Sequence, residues 1–502
     1  MDLFSNLALG FSAALSIQNL GYAFVGCLLG TLIGVLPGLG PLATISILLP
    51  FTYGLDPLSA LIMMSGIYYG AAYGGSTTAI LANLPGETSS VVTVIDGYQM
   101  ARNGRAGVAI ATAAIASFFA GCVGTFILAA FAVPLSTLAF KFGGAEYFAL
   151  MVVGLIGAVS LADGSMLKAI GMILIGVTLG LVGADVNSGA LRFTFGQPQL
   201  WEGVDFIVLA VGLFALGEIM ASLESPEQRE THTGRLTQIM PSANDFKRMT
   251  PAILRGTALG SLLGVLPGAG VVMSSFFAYA VEKRFSRHSG EMGKGAIEGV
   301  AAPEAANNAA AQTAFVPTLT LGIPGSATMA LMLGAMVMHN IQPGPSVITK
   351  NPELFWGLIA SMWIGNLILV ILNLPLVGIW VKILKIPYKV LFPAILLFCC
   401  IGVYSSNLAI FDIFLAAGIG VVGYIFRKLD CQPAPLILAF VLGPSLEENF
   451  RRALVLSSGD YTVFVTSPIS AVLLSFALLM VIFVLLPGLR RRRKQIFGEE
   501  GQ

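Results

Sequence analysis

The sequence predicts an all-α polytopic membrane protein of about 10–14 transmembrane helices, including broken or re-entrant segments, built as two inverted-topology repeats. Three observations predict it. Charged residues are 11% of the 502-residue chain and apolar residues 56%, where an ordinary soluble domain carries roughly 25% charged residues. The charges also cluster: of 27 Lys+Arg and 26 Asp+Glu, 23 fall within 223–255, 282–298 and 490–500. Finally, a glycine- and proline-rich pattern of eleven residues occurs twice. The first two observations exclude a soluble enzyme, because the polar surface such a protein needs is missing. A net charge of +1 implies no nucleic-acid partner.

Taken in order, apolar runs able to span lie near 20–36, 58–74, 106–134, 145–160, 166–183 and 206–222. They make a first transmembrane repeat, residues 1–222. Segment 223–255 has charges of both signs, Pro226 and Pro241, and no long apolar run, so it reads as an extramembrane linker. Further runs near 256–281, 300–322, 354–380, 390–406, 408–426, 433–445 and 467–487 make a second repeat, 256–489. Residues 490–502 form a basic tail that opens with four arginines and Lys494. No basic n-region precedes the first apolar run, and the first Lys or Arg is Arg102. A cleaved signal peptide is therefore not expected. Basic clusters beside spans favour the cytoplasm, which places the C-terminus, the linker, the 282–296 loop and the 98–105 turn inside. The five cysteines form no C-x-x-C pair and read as inert thiols; the three histidines have no metal-ligand spacing.

The repeat is G-T-L-I-G-V-L-P-G-L-G at 30–40 and G-S-L-L-G-V-L-P-G-A-G at 260–270. A second, weaker pair follows each copy, I-L-A-N-L-P-G at 80–86 and L-T-L-G-I-P-G at 319–325. Two elements in one order argue for two homologous halves. Basic residues follow the second L-P-G-x-G copy (Lys283, Arg284, Arg287, Lys294) but not the first, and Arg102 and Arg105 follow the later motif only in the first half. Equivalent loops that exchange basic content are expected on opposite sides of the membrane.

L-P-G-x-G breaks a helix, because proline removes a backbone donor and glycine admits unusual dihedrals. Unwound backbone survives at membrane depth only where protein buries it or it lines a cavity. Paired breaks are the best sequence pointer to a transporter's binding site; close helix packing through G-x-x-x-G is the structural alternative. Beside the breaks lie Ser76, Thr77, Thr78 and Asn83 in one half, and Asn307, Asn308, Gln312, Thr313, Thr318, Thr320, Ser326 and Thr328 in the other. Polar groups in apolar runs are costly unless they bind something or each other. Enzyme motifs fail: G-L-G-P-L-A at 38–43 follows no strand, 290–295 is no phosphate loop, and neither H-E-x-x-H nor G-x-S-x-G occurs.

The chain resembles the large membrane subunit of the tripartite tricarboxylate transporters, the TctA type. The carrying motifs are 30–43, Y-G-G-S-T-T-A-I-L-A-N-L-P-G at 73–86, D-G-Y-Q-M-A at 96–101, A-E-Y-F-A-L-M at 145–151, G-V-L-P-G-A-G at 264–270 and P-E-A-A-N-N-A-A at 303–310. The resemblance implies a multi-pass symporter of organic acids in the bacterial inner membrane. It also implies a small membrane subunit (TctB type), a periplasmic solute-binding protein (TctC type) and an ion gradient, usually sodium, as the energy source. Substrate choice is expected to lie largely with the binding protein.

The expected substrate site comprises Gly38, Gly40, Ser76, Thr77, Gly268, Gly270, Asn307, Gly325, Ser326 and Thr328; the expected ion site comprises Pro37, Asn83, Pro267, Asn308 and Thr318. Helix N-termini at the breaks favour carboxylates, and carbonyls freed there suit Na⁺. Ser76, Thr77 and Asn83 are expected to face Asn307, Asn308 and Thr328 across a pseudo-two-fold axis. A proton is the alternative coupling ion, with Glu87, Asp96, Glu298 and Glu304 as the acids near the motifs. No other cofactor is expected. A stand-alone permease or channel is the alternative reading, and an intramembrane enzyme a weaker one, since no cluster of acids or histidines marks one membrane face.

Overall fold

The computed structural model describes residues 3–36, 39–161, 165–185, 188–224, 239–266, 270–383 and 388–485. These are almost wholly helical; the one sheet described is a short hairpin pairing Gly183–Ala184 with Leu191–Arg192. Five helices among the described residues are long and apolar enough to cross a membrane: Ile17–Gly34, Thr88–Ala139, Phe206–Glu224, Pro352–Asn373 and Ile410–Lys428. Shorter apolar helices such as Leu3–Ala14, Met166–Gly180 and Ala327–Met338 stand beside them. The protein is a multi-pass, all-α membrane protein.

Two helices at the centre behave differently. Pro57–Ala82 is buried from Leu58 to Ala82, and Glu298–Thr313 is buried along its whole length. Neither has an amphipathic face to offer lipid, since protein surrounds each on every side. The first carries a dense set of hydroxyls and the second the amides and carboxyls Glu304, Asn307, Asn308 and Gln312, which only a protein-lined position can pair.

The same helix pair is built twice. Ile17–Gly34 packs on Pro57–Ala82, and Ala243–Gly264 packs on Glu298–Thr313. Small residues make the contact: a β-carbon on Gly26, Gly30 or Gly34 would lie 2.2, 2.4 or 2.5 Å from the carbonyl oxygen of Met63, Ile67 or Ala71. On Gly256, Gly260 or Gly264 it would lie 2.3, 2.2 or 2.5 Å from that of Ala302, Ala306 or Ala310. Gly30 and Gly260, and Gly34 and Gly264, are the glycines aligned by the sequence repeat. Packing therefore explains the G-x-x-x-G parts.

Helix ends follow from local chemistry. Asp56 caps the Pro57–Ala82 helix by accepting from the Leu58 N–H, with Pro57 in the first turn where its missing N–H costs nothing. That helix ends at Asn83 in the left-handed conformation (φ 58, ψ 25), and Phe315–Leu321 ends the same way at Gly322 (φ 72, ψ 25). Four residues on, Glu87 (φ −146, ψ 166) and Ser326 (φ −157, ψ 168) are extended N-caps of the segments that follow. The aligned pairs Asn83/Gly322 and Glu87/Ser326 thus share one backbone path.

Loops pair across the molecule. Arg105 meets Asp245 at 2.6 Å. Asp96 accepts from the N–H groups of Gly293, Gly295 and Ala296 at 2.9, 2.8 and 2.8 Å, and from the Tyr279 hydroxyl at 2.9 Å. The 98–105 turn, the start of the Ala243–Gly264 helix and the 282–296 loop therefore share one face. At the periphery, Phe450 stacks on Phe464 and Phe148 meets both at a tilt where Gly144–Leu161, Ala434–Leu456 and the short Val463–Thr466 helix meet.

Several expected spans change length. The 256–281 run divides into the ends of two helices, Ala243–Gly264 and Gly270–Phe285, and the former takes in the last part of the 223–255 stretch. The 433–445 run extends to Leu456, and 354–380 ends at Asn373 before a separate Val377–Ile383 helix. Segment 225–238 of the linker and the basic tail lie outside the described residues.

Candidate functional site

Four helices bring their polar residues to one carboxylate. Glu304 is 2% exposed. Its Oε2 accepts from Ser76 Oγ at 2.9 Å and Ser117 Oγ at 3.3 Å, and its Oε1 from Thr93 Oγ1 at 2.6 Å. Ser76 comes from Pro57–Ala82, Thr93 from Val91–Met100 and Ser117 from Ala106–Ala139. Asn308, one turn beyond Glu304 on the same helix, donates Nδ2 to Ser117 Oγ at 2.7 Å and to the Glu304 carbonyl at 3.0 Å. The (i, i+4) spacing puts both side chains on one face. Among the described residues no Lys, Arg or His pairs with Glu304.

A cavity of about 10 Å³, the room of one water, adjoins this carboxylate; Tyr73, Ser76, Thr77, Ser117, Glu304 and Asn373 line it. The Tyr73 hydroxyl and Asn373 Oδ1 are buried there without a hydrogen-bond partner. A second carboxylate, Glu87, stands at the first break. Its Oε1 accepts from Ser89 Oγ at 2.5 Å and from Asn307 Nδ2 at 3.0 Å, while Asn307 Oδ1 is unpartnered.

The structure thus joins Ser76 and Asn308 through Ser117 and Glu304, and Asn307 to the break at Glu87. Thr77 lines the same cavity, with its hydroxyl on the Tyr73 carbonyl at 3.2 Å. Gly40, the N-cap of Pro41–Leu48, lies where a β-carbon would stand 2.9 Å from the Gly86 carbonyl oxygen. Gly270 opens the Gly270–Phe285 helix. Gly325 and Ser326 form the second break, with Ser326 Oγ accepting from Met329 N–H at 3.2 Å. Thr328 is buried in the first turn of that helix. Asn83 is exposed at its helix end, and Thr318 bonds the Ala314 carbonyl of its own helix at 2.8 Å, so neither joins the Glu304 cluster. Pro37, Gly38, Pro267 and Gly268 lie outside the described residues. The Val35 carbonyl, just before the L-P-G-x-G stretch at 36–40, accepts from Thr78 at 2.8 Å.

Of the four acids near the motifs, Asp96 is tied to the 293–296 backbone, and Glu298 pairs with Arg248 at 2.8 Å and with His288 at 2.9 Å. Glu87 and Glu304 have no such cation partner among the described residues. Thr93, Ser117 and Asn373 were not legible as site residues: each is a single polar group in an apolar run, and its role comes from contacts with other helices; Tyr73 opens the 73–86 motif but was not assigned to the site.

Comparison with known proteins bears on the chain as a whole. Residues 20–438 match the Tripartite tricarboxylate transporter TctA family. The chain is 58% identical over 500 residues, the whole of both chains, to a protein of Agrobacterium vitis described as "Uncharacterized 52.8 kDa protein in TAR-I ttuC' 3'region". It is 60% identical over 241 residues, 48% of this chain and all of the other, to "Uncharacterized protein in TAR-II ttuC' 3'region" of the same organism. No solved structure matches the chain.

Proposed function

The chain belongs to the tripartite tricarboxylate transporter TctA family, and from that membership we propose that it is the large transmembrane subunit of a binding-protein-dependent secondary symporter. It imports a carboxylate-bearing organic acid across the bacterial inner membrane, with its C-terminus in the cytoplasm, on an ion gradient, sodium first. A TctB-type small subunit docks on it, and a TctC-type periplasmic protein delivers the substrate.

The observation that carries this reading is the break built twice, Asn83 to Glu87 and Gly322 to Ser326, with the same backbone conformation at both ends. A channel or packing scaffold has no need of two matching breaks. An inverted relation of the two repeats accounts for both the pairing and the exchanged basic loops. Substrate carboxylates bind hydroxyl and N–H groups near Ser76, Thr77 and Gly325–Ser326, where the Ala327–Met338 helix presents its positive end. Glu87 and Glu304 bring two carboxyl groups to the centre, and wherever they are ionised an anion enters only with cations that offset them. This electrostatic requirement supports symport.

Proteoliposomes holding both membrane subunits, supplied with the binding protein, should accumulate a labelled organic acid when a sodium gradient is imposed. Omitting either partner should abolish uptake. Full uptake by this chain alone, or uptake that ignores every imposed gradient, would refute the reading.

A further inference from the structure

The Glu304 centre has the composition of a cation site. Hydrogen bonding shows how Glu304 is held. Asn308 Nδ2, a donor only, gives its hydrogen to Ser117 Oγ at 2.7 Å. Ser117 must then direct its single hydrogen elsewhere, and Glu304 Oε2 is its acceptor at 3.3 Å. Thr93 donates to the other carboxyl oxygen at 2.6 Å. Both oxygens of Glu304 are thus placed to accept, as binding of a cation to an ionised carboxylate requires.

A buried ionised carboxylate needs a counter-charge. No Lys, Arg or His among the described residues supplies one to Glu304. Tyr73 and Asn373 line the water-sized cavity beside it, and the Tyr73 hydroxyl and Asn373 Oδ1 are buried without hydrogen-bond partners. Tyr73 and Asn373 are 5% and 2% exposed. The Asn373 amide nitrogen is already held by the Leu369 carbonyl at 2.9 Å, which fixes the oxygen as the idle end. Hydroxyl oxygens that donate to the carboxylate keep lone pairs for a cation. An anionic group, idle neutral oxygens and space for one small particle together meet what a hard monovalent cation requires of its ligands.

We infer that the cavity between Glu304, Ser76, Ser117, Tyr73 and Asn373 is a sodium site, and that this sodium is the coupling ion of the symport proposed above, on which the coupling role rests. Asn83 and Thr318, expected at the ion site, are not among the residues that line this cavity. The ion neutralises Glu304 as substrate carboxylate approaches, so that neither charge enters the centre alone. Its ligands come from Pro57–Ala82, Ala106–Ala139, Glu298–Thr313 and Pro352–Asn373, so occupancy ties the two repeats together.

Binding of radioactive sodium to the purified full-length chain in lipid nanodiscs tests the site, with organic-acid uptake by the three-component system measured separately. Wild type should bind saturably. Glu304→Gln should weaken binding by about tenfold or more, as for loss of a charged partner, and Tyr73→Phe and Asn373→Leu should weaken it severalfold. The last two variants decide the matter if Glu304→Gln does not fold. Wild-type affinity in all folded variants would overturn the site while leaving sodium-driven uptake intact. No sodium binding by a wild type whose uptake runs on a proton gradient would overturn it as well. Sodium binding lost in the variants, with no uptake under any gradient, would uphold the site and defeat the transport reading instead.

Discussion

Gly86 lies so close to Gly75 that a β-carbon placed on it would stand 2.3 Å from the Gly75 Cα. The aligned contact in the second repeat is looser: a β-carbon on Gly325 would meet Ala314 Cβ at 3.7 Å, an ordinary separation. The first break is thus pressed against its own helix by two glycines, just below Ser76 and Thr77. Gly86→Ala should destabilise the protein by about 1–3 kcal/mol, because backbone and not a side chain has to move. Gly325→Ala should be close to neutral. Thermal unfolding of the two variants in detergent checks the order, and equal melting temperatures would contradict it.

The left-handed ends at Asn83 and Gly322 make a second comparison. Asn83→Gly should be neutral within a few tenths of a kcal/mol, since asparagine and glycine both adopt this conformation. Gly322→Val should cost about 1–2 kcal/mol or more from backbone strain, and its β-carbon would also lie 3.1 Å from the Pro343 carbonyl oxygen. A Gly322→Val protein that melts like wild type would show that this helix end does not need the conformation.

The Arg105–Asp245 pair ties the 98–105 turn to the start of the Ala243–Gly264 helix on the face that carries the basic loops. Partial burial works to raise the Asp245 carboxyl, but the Ser242 N–H at 2.9 Å and Arg105 at 2.6 Å outweigh it and hold the group below the ordinary carboxylate range. A carboxyl depressed by folding adds stability above its unfolded value and loses it as pH falls through the folded value. Asp245→Asn should therefore melt lower than wild type at neutral pH. The gap should close in acid, below the ordinary range of carboxylates. A gap that is constant with pH would mean that the pair contributes nothing through ionisation.

Much of the architecture was legible because membrane physics writes it plainly. Scarce charge, apolar runs and the doubled glycine pattern lead to the helix pairs, and Gly30, Gly34, Gly260 and Gly264 lie at the close contacts. Asn83 and Gly322 align in sequence and again in backbone conformation. The Pro57–Ala82 helix ran longer than expected because Ser76 and Thr77 depress its local hydropathy, although protein and not lipid surrounds them. The polar centre was only half legible. Ser76, Thr77, Asn307 and Asn308 announce themselves by density, whereas Thr93, Ser117 and Asn373 are isolated in apolar stretches. Glu304 was visible as a nearby acid, but the sequence does not contain the Asn308–Ser117 chain that makes it the hub.

The central claim is that polar groups from both repeats form one transport centre, and the sodium dependence of initial uptake rate in the three-component proteoliposomes tests it most directly. Ser76→Ala and Asn308→Ala each remove a hydrogen bond at the Glu304 centre, the second through Ser117, and loss of a bond to a charged group costs ~1.5–3 kcal/mol. Both variants should express normally and need about tenfold more sodium or substrate, while Leu254→Ala, on a half-exposed side chain of the Ala243–Gly264 helix, should not. Wild-type sodium and substrate dependence in Ser76→Ala, Asn307→Ala and Asn308→Ala alike would contradict the account and leave these groups as packing between helices.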